Sequence, residues 1–202
     1  MLDLRTRAGA ILAPMARRTP LSPDALTLIA LILNLSAAVA LAQAATWRPG
    51  FLLAVGLAAV GGTLDLLDGV VAREKGLTSR WGDFLDHFAD RVSDSALFAG
   101  WVIGARVSPT LGLASVVAVL LNGYAGTQLE ASFGAREYRT TGRFEFFIAI
   151  LGFPLLAWFG GARLAAVRVG GLTVFEILTL LVALFALVGV VQRLAEARRL
   201  SR

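Results

Sequence analysis

Six long apolar stretches constrain this chain more than any other feature. They run approximately over 25–46, 51–72, 83–106, 109–131, 144–163 and 171–193. A helix that crosses a bilayer needs about 20 mostly apolar residues, and each stretch meets that length. The expected fold is therefore all-α and integral to the membrane, with six transmembrane helices. The fifth and sixth stretches are cleanly apolar. The second and third carry several aspartates at one end, so hydropathy alone underrates the third. Composition agrees: 57% of residues are hydrophobic and only 16% charged, with a mean hydropathy of +0.73. A soluble domain has about 45–50% apolar and about 25% charged residues.

Residues 1–18 precede the first stretch. Leu4, Ala8, Ile11, Leu12 and Met15 share one helical face, with Arg5, Arg7 and Arg17 elsewhere. This pattern predicts an amphipathic helix lying in the membrane interface. The first apolar stretch is too long for a signal peptide, and no small-residue cleavage pattern follows it. Basic residues set the orientation. Fourteen fall on one side of a six-span topology, in residues 1–24, the second-to-third and fourth-to-fifth connections and the C-terminal end. Four fall on the other, namely Arg48, Arg106, Arg163 and Arg168. The excess places both termini in the cytoplasm of a multi-pass protein of the cell membrane. The expected organisation is one membrane domain over 1–202: an interfacial helix at 1–18, a six-helix bundle at 25–193 and a cytoplasmic tail at 194–202.

Several chemistries are excluded at once. The chain has no cysteine and a single histidine, His87, so disulfides, thiolate zinc sites and multi-histidine metal sites are absent. Any metal would have oxygen ligands, which favours hard ions such as Mg²⁺, Mn²⁺ or Ca²⁺. The net charge of +5 is read as loop charge beside anionic lipid, not as a nucleic-acid surface.

Seven of the fourteen acidic residues fall between positions 65 and 94. Asp65 and Asp68 are three apart, and Asp86 and Asp90 four apart, so each pair shares a helical face. The short basic connection between the second and third stretches makes their helices antiparallel neighbours, which brings both pairs to a similar depth. Four converging carboxylates repel one another strongly in a low-dielectric site. Either some are protonated or cations neutralise them, and two divalent ions would match the charge. The plainer alternative is solvated aspartates paired with Arg73, Lys75, Arg80 and Arg91. Gly69 leaves room for a ligand to approach the backbone, and Arg73 stands within two turns of the pair, where it can grip a phosphate oxygen.

The arrangement Asp65-x2-Asp68-Gly69-x2-Ala72-Arg73-x8-Gly82-x3-Asp86-x3-Asp90 resembles the signature of the CDP-alcohol phosphotransferases (CDP-alcohol phosphatidyltransferase class I) at all eight specified positions. The hydropathy profile is similar to the family over nearly the whole chain. The resemblance implies an enzyme of phospholipid biosynthesis with two Mg²⁺ per site, Mn²⁺ being a substitute. Asp65, Asp68 and Asp86 are implied as metal ligands, and Asp90 as a further ligand that is also the general base. Gly69, Arg73 and Ser79 are implied contacts to the CDP-alcohol, together with Asp24, Ala25, Leu26 and Thr27 at the opening of the first span. The implied donor is CDP-diacylglycerol, with its tails in membrane lipid, and CMP is the leaving group. A homodimer is also implied.

Within the family the chain most resembles the phosphatidylinositol-phosphate synthase branch, through Ala72-Arg73-Glu74, Asp90-Arg91-Val92-Ser93-Asp94 and Val191-Gln192-Arg193-Leu194. That branch implies that Ser132, Arg143 and Arg193 grip the phosphate of an inositol phosphate acceptor. Two departures weaken the match. Gly126-Thr127-Gln128 stands where the branch has basic residues, and Gly142-Arg143 where it has Glu-Arg. Glycerol 3-phosphate, as used in phosphatidylglycerophosphate synthesis, is the nearest rival acceptor. In a different class, intramembrane acids also mark cation- or proton-coupled transporters, but those sites lie near the midplane between repeats. Here the acids cluster at one edge, and no repeat is visible.

Overall fold

The computed structural model describes residues 4–134 and 143–201. Among these, helices α1 (Leu4–Arg18), α2 (Pro23–Gln43), α3 (Gly50–Glu74), α4 (Arg80–Gly104), α5 (Pro109–Phe133), α6 (Arg143–Ala166) and α7 (Val174–Leu200) carry nearly all the chain. A two-residue hairpin, β1 (Arg168–Val169) and β2 (Leu172–Thr173), joins α6 to α7. Gly170 and Gly171 turn it at φ of 59° and 84°, a left-handed pair that favours glycine.

The helix ends follow local chemistry. Ser22 caps α2, its Oγ accepting from the Ala25 amide, and Pro23 takes the first turn, where a missing N–H costs nothing. Ser79 caps α4 by accepting from the Gly82 amide. Thr173 and Glu176 form a reciprocal capping box at the start of α7. Gly134, at φ 65°, ends α5. The observed helices fall within a few residues of the expected stretches, except at the last. There the hairpin delays the start to Val174, and the helix runs on to Leu200, through most of the expected tail.

Five segments are long and apolar enough to cross a membrane: α2, α3, α5, Ile148–Ala166 within α6, and α7. The chain is thus an all-helical, multi-pass membrane protein. Helix α4 matches them in length, but its first fifteen residues hold Arg80, Asp83, Asp86, Asp90, Arg91 and Asp94.

Helix α2 packs most extensively against α3 and α4. Lipid tails are as apolar as leucine, so small residues that let backbones meet drive such packing. A Cβ on Gly100 would collide with the Ala38 carbonyl oxygen, and one on Gly104 with that of Leu41. Beyond this seam, Trp101 is 1% exposed and gathers rings from three other helices: Phe51 at 6.3 Å, Phe153 at 5.5 Å and Phe175 at 5.5 Å, edge-on. Its Nε1 donates to Thr179 Oγ1 at 3.0 Å. A second cluster, of Ala16, Leu26, Leu67, Val70 and Val71 with Leu12, binds α1 to α2 and α3 at the opposite end. Ile11 and Met15 of α1 remain exposed. Arg17 Nε donates to Glu74 Oε2 at 2.7 Å, and Lys75 Nζ to the Thr19 carbonyl at 2.6 Å, which ties α1 to the α3–α4 connection. That connection is only residues 75–79, so the end of α3 and the starts of α2 and α4 meet at one end of the bundle.

Gly100→Ala should destabilise the fold by about 1–3 kcal/mol, because the new methyl group meets backbone that cannot yield. Gly56→Ala, with open space at its Cβ, should cost nothing and add helix propensity. Thermal unfolding in detergent checks both: the midpoint should fall for the first variant and hold or rise for the second.

Candidate metal centre and active site

Helix α3 carries Asp65 and Asp68 toward its end, and α4 returns beside it with Asp86 and Asp90 near its start. One carboxylate oxygen from each of Asp65, Asp68 and Asp86 lies within 4.8 Å of the other two. Asp90 stands one turn further along α4, and both Asp86 and Asp90 act electrostatically on Asp68. The fourfold cluster expected from spacing is thus three convergent carboxylates with a fourth alongside.

Asp68 is 5% exposed. Thr27, equally buried, comes from the second turn of α2, and its hydroxyl donates to Asp68 Oδ2 at 2.6 Å. Spacing within α3 and α4 gives no hint of this bond, which joins two helices through residues 41 apart in sequence. Thr27, an implied donor contact, thus bonds a carboxylate of the cluster. Leu26 is 1% exposed and packs among Leu67, Val70 and Val71. Ala25 lies in the first turn of α2, with its amide on Ser22 Oγ.

The remaining expected donor contacts gather beside the cluster. A Cβ on Gly82 would lie 3.2 Å from Ser79 Oγ and 3.5 Å from Asp24 Oδ1, so Asp24 and Ser79 meet across that glycine. Arg73 folds back along α3, with Nη1 3.4 Å from the position of a Cβ on Gly69. A phosphate approaching the bare backbone at Gly69 would meet this guanidinium and the Asp68 carboxylate together.

On the far side of α4, the expected acceptor residues Ser132 and Arg193 line a common pocket of about 260 Å³ between α5 and α7. Ser132 Oγ accepts from Gln128 Nε2 at 3.0 Å. Arg193 reaches Asn122 Oδ1, and its Nε lies 3.0 Å from the position of a Cβ on Gly126. Gly126 therefore seats the arginine, at a stretch where the sequence departs from the resembling branch. Arg143 begins α6; its side chain, like Arg136 and Arg139, lies outside the described residues.

A cavity and the seat of Arg91 escaped the sequence reading, although a pairing of Arg91 with an aspartate is one reading of the cluster. A cavity of about 480 Å³ between α4 and α5 is lined by Arg80, Asp83, His87, Thr127 and Glu130 among others. Its His87 Nε2 is 3.4 Å from Glu130 Oε2, and Nδ1 is 4.0 Å from Asp86 Oδ2. Arg91 Nη2 lies 3.3 Å from Asp90 Oδ2 and 3.8 Å from Asp94 Oδ2. The glycines of α5 were the available signal, since Gly123 and Gly126 are one turn apart and each receives an arginine from a neighbouring helix.

A profile of CDP-alcohol phosphatidyltransferases matches residues 20–195. The chain belongs to this family. Among its relatives, the archaetidylinositol phosphate synthase of Pyrococcus horikoshii is 28% identical over 96% of this chain and 90% of its own. The phosphatidylinositol phosphate synthase of Mycobacterium marinum is 31% identical over 72% of this chain and 67% of its own. The crystal structure of the Mycobacterium tuberculosis phosphatidylinositol phosphate synthase in complex with manganese and citrate superposes with a TM-score of 0.73 and 25% identity, covering 92% of this chain and 88% of that one. The same enzyme with CDP-DAG bound gives a TM-score of 0.72 and 26% identity, covering 93% and 94%. The resemblance read from the aspartate spacing is borne out, and this CDP-alcohol phosphatidyltransferase is a membrane transferase of phospholipid biosynthesis.

Thr27→Val removes the donor to a buried carboxylate and should cost about 1–3 kcal/mol, whereas Thr27→Ser should keep most of the stability. Thermal unfolding of the metal-free protein measures the difference.

Proposed function

We propose that this phosphatidyltransferase uses CDP-diacylglycerol as donor and the hydroxyl of a phosphorylated polyol as acceptor. Inositol phosphate is the acceptor favoured here, giving phosphatidylinositol phosphate and CMP. The single observation that carries the reading is the convergence of Asp65, Asp68 and Asp86 beside Asp90, next to Arg73 and the bare backbone at Gly69. The names of the relatives support the inositol branch, and the CDP-DAG in the M. tuberculosis enzyme supports the donor.

The converging groups are all oxygen donors, which fits hard divalent ions, and the manganese in the M. tuberculosis structure supports a metal dependence. Asp65, Asp68, Asp86 and Asp90 would hold two Mg²⁺, with Mn²⁺ as a substitute. Once bound, the ions would supply positive charge to the diphosphate and to the departing CMP. Arg73 holds a diphosphate oxygen through a charge-assisted bond. Asp24 accepts from the cytidine amine, Ser79 adds a polar contact, and Ala25, Leu26 and Thr27 shape this opening of α2. Asp90 takes the proton of the acceptor hydroxyl. That oxygen bonds to the β-phosphorus, the bond from this phosphorus to the bridging oxygen breaks, and CMP leaves with the electron pair. Arg193 and Ser132, with Arg143, orient the acceptor by its phosphate.

The setting follows from the same reading. Helix α4 serves as the sixth span, because its second half carries Phe98 and Trp101 into the buried core. Helix α1 lies in the interface with Ile11 and Met15 toward lipid. The site and both termini face the cytoplasm, the chain forms one domain, and two copies assemble as a homodimer.

The test incubates purified protein with CDP-diacylglycerol, Mg²⁺ and either inositol phosphate or glycerol 3-phosphate, and identifies the lipid product. Phosphatidylinositol phosphate is expected. Product from glycerol 3-phosphate alone would replace the acceptor assignment with phosphatidylglycerophosphate synthesis. Chelation should abolish CMP release, and Mg²⁺ or Mn²⁺ should restore it. Asp90→Asn should lower kcat by about 10²–10⁴-fold.

A further inference from the structure

Neighbouring side chains on a helix point about a quarter-turn or more apart, so residues i and i+1 do not ordinarily face each other. Asp90 and Arg91 nevertheless meet, with Nη2 of the arginine 3.3 Å from Oδ2 of the aspartate. Two features bend the guanidinium back. Asp94, one turn along on α4, stands 3.8 Å from the same Nη2. On α5, Gly123 leaves a notch into which the arginine fits: a Cβ there would collide with Nη1 and lie 2.8 Å from Cδ and 2.9 Å from Cζ. The fit is close enough that Arg91 Nε is buried without a hydrogen-bond partner. A buried donor left unmatched costs free energy, which the two carboxylate contacts offset. Arg91 and Asp90 are only 23% and 15% exposed, so the contact lies where water screens it weakly.

We propose that Arg91 is a positioning residue for Asp90, and that Gly123 of α5 is the seat that makes this possible. The guanidinium, anchored on Asp94 and pressed into the notch, fixes the rotamer of the Asp90 carboxylate and keeps it aimed at the acceptor hydroxyl. Arg91 itself touches no substrate. Because α5 also seats Arg193 at Gly126, one face of that helix aligns the base and the expected acceptor-gripping arginine together. The inference rests on the reading of Asp90 as the general base.

The decisive variant is Gly123→Ala, which keeps every charge and ejects the arginine by sterics alone. Misplacing a reacting group by about 1 Å costs on the order of 10²-fold in rate. Gly123→Ala should therefore lower kcat by about 10–100-fold and leave the KM for CDP-diacylglycerol unchanged. Arg91→Ala should do the same, and Arg91→Lys should recover part of the loss. In an Arg91→Ala background, adding Gly123→Ala should change kcat by less than about twofold, because the two act through one contact. Near-normal kcat in Gly123→Ala, effects that multiply in the double variant, or a raised KM with kcat intact would each overturn the proposal. Circular dichroism and retained CDP-diacylglycerol binding show that the variants fold. Asp90→Asn is assayed in parallel. If it stays active, the base assignment fails; if it is inactive while Gly123→Ala is not, only the present inference fails.

Discussion

Carboxylates repel one another, and repulsion grows as water is withdrawn. The packing of this protein works against that repulsion. Asp65 and Asp68 sit on α3, and Asp86 on α4, with one oxygen from each held within 4.8 Å of the others. No helix alone achieves this. The five-residue connection forces α3 and α4 to run antiparallel, and α2 packs against both along a seam of small residues. From α2, Thr27 adds a hydrogen bond that draws Asp68 inward. The bundle thus supplies by backbone proximity what the side chains oppose electrostatically.

The glycines divide into two groups by what they admit. Gly100 and Gly104 admit the backbone of α2 and set how closely two helices lie. Gly123 and Gly126 admit arginine side chains from α4 and α7 and set where two positive charges lie. In a bilayer both are ways of packing polar atoms closely without exposing them to lipid. The first group spaces two helices; the second seats two guanidinium groups.

Much of this was legible in the sequence, for a definite reason. Asp65, Asp68, Asp86 and Asp90 are paired within helices, and helical periodicity alone puts each pair on one face. The number and approximate limits of the long helices were legible too, because crossing a bilayer imposes a length. What escaped were contacts between helices distant in sequence. The bond from Thr27 to Asp68 is not legible, because nothing in its own helix points to that carboxylate. Arg91 is legible as a partner for the aspartates, but the notch at Gly123 that seats it, 32 positions away, is not. Gly126 read as a loss relative to a basic branch, yet it is the space that Arg193 fills. Helical period shows which face a residue occupies but not what lies across from it.

The ring cluster around Trp101 lies 11 residues beyond Asp90 on α4, about 16 Å along the helix axis. Large side chains from α3, α4, α6 and α7 meet there, whereas at the aspartate end carboxylates lie beside the leucines and valines that join α1, α2 and α3. Polarity is therefore graded along the long axis of the bundle. The ring-packed end fixes the helix directions, and the other gathers its carboxylates without any break in a packed hydrophobic interior. Charge and aromatic packing thus occupy opposite ends of the same two helices, α3 and α4.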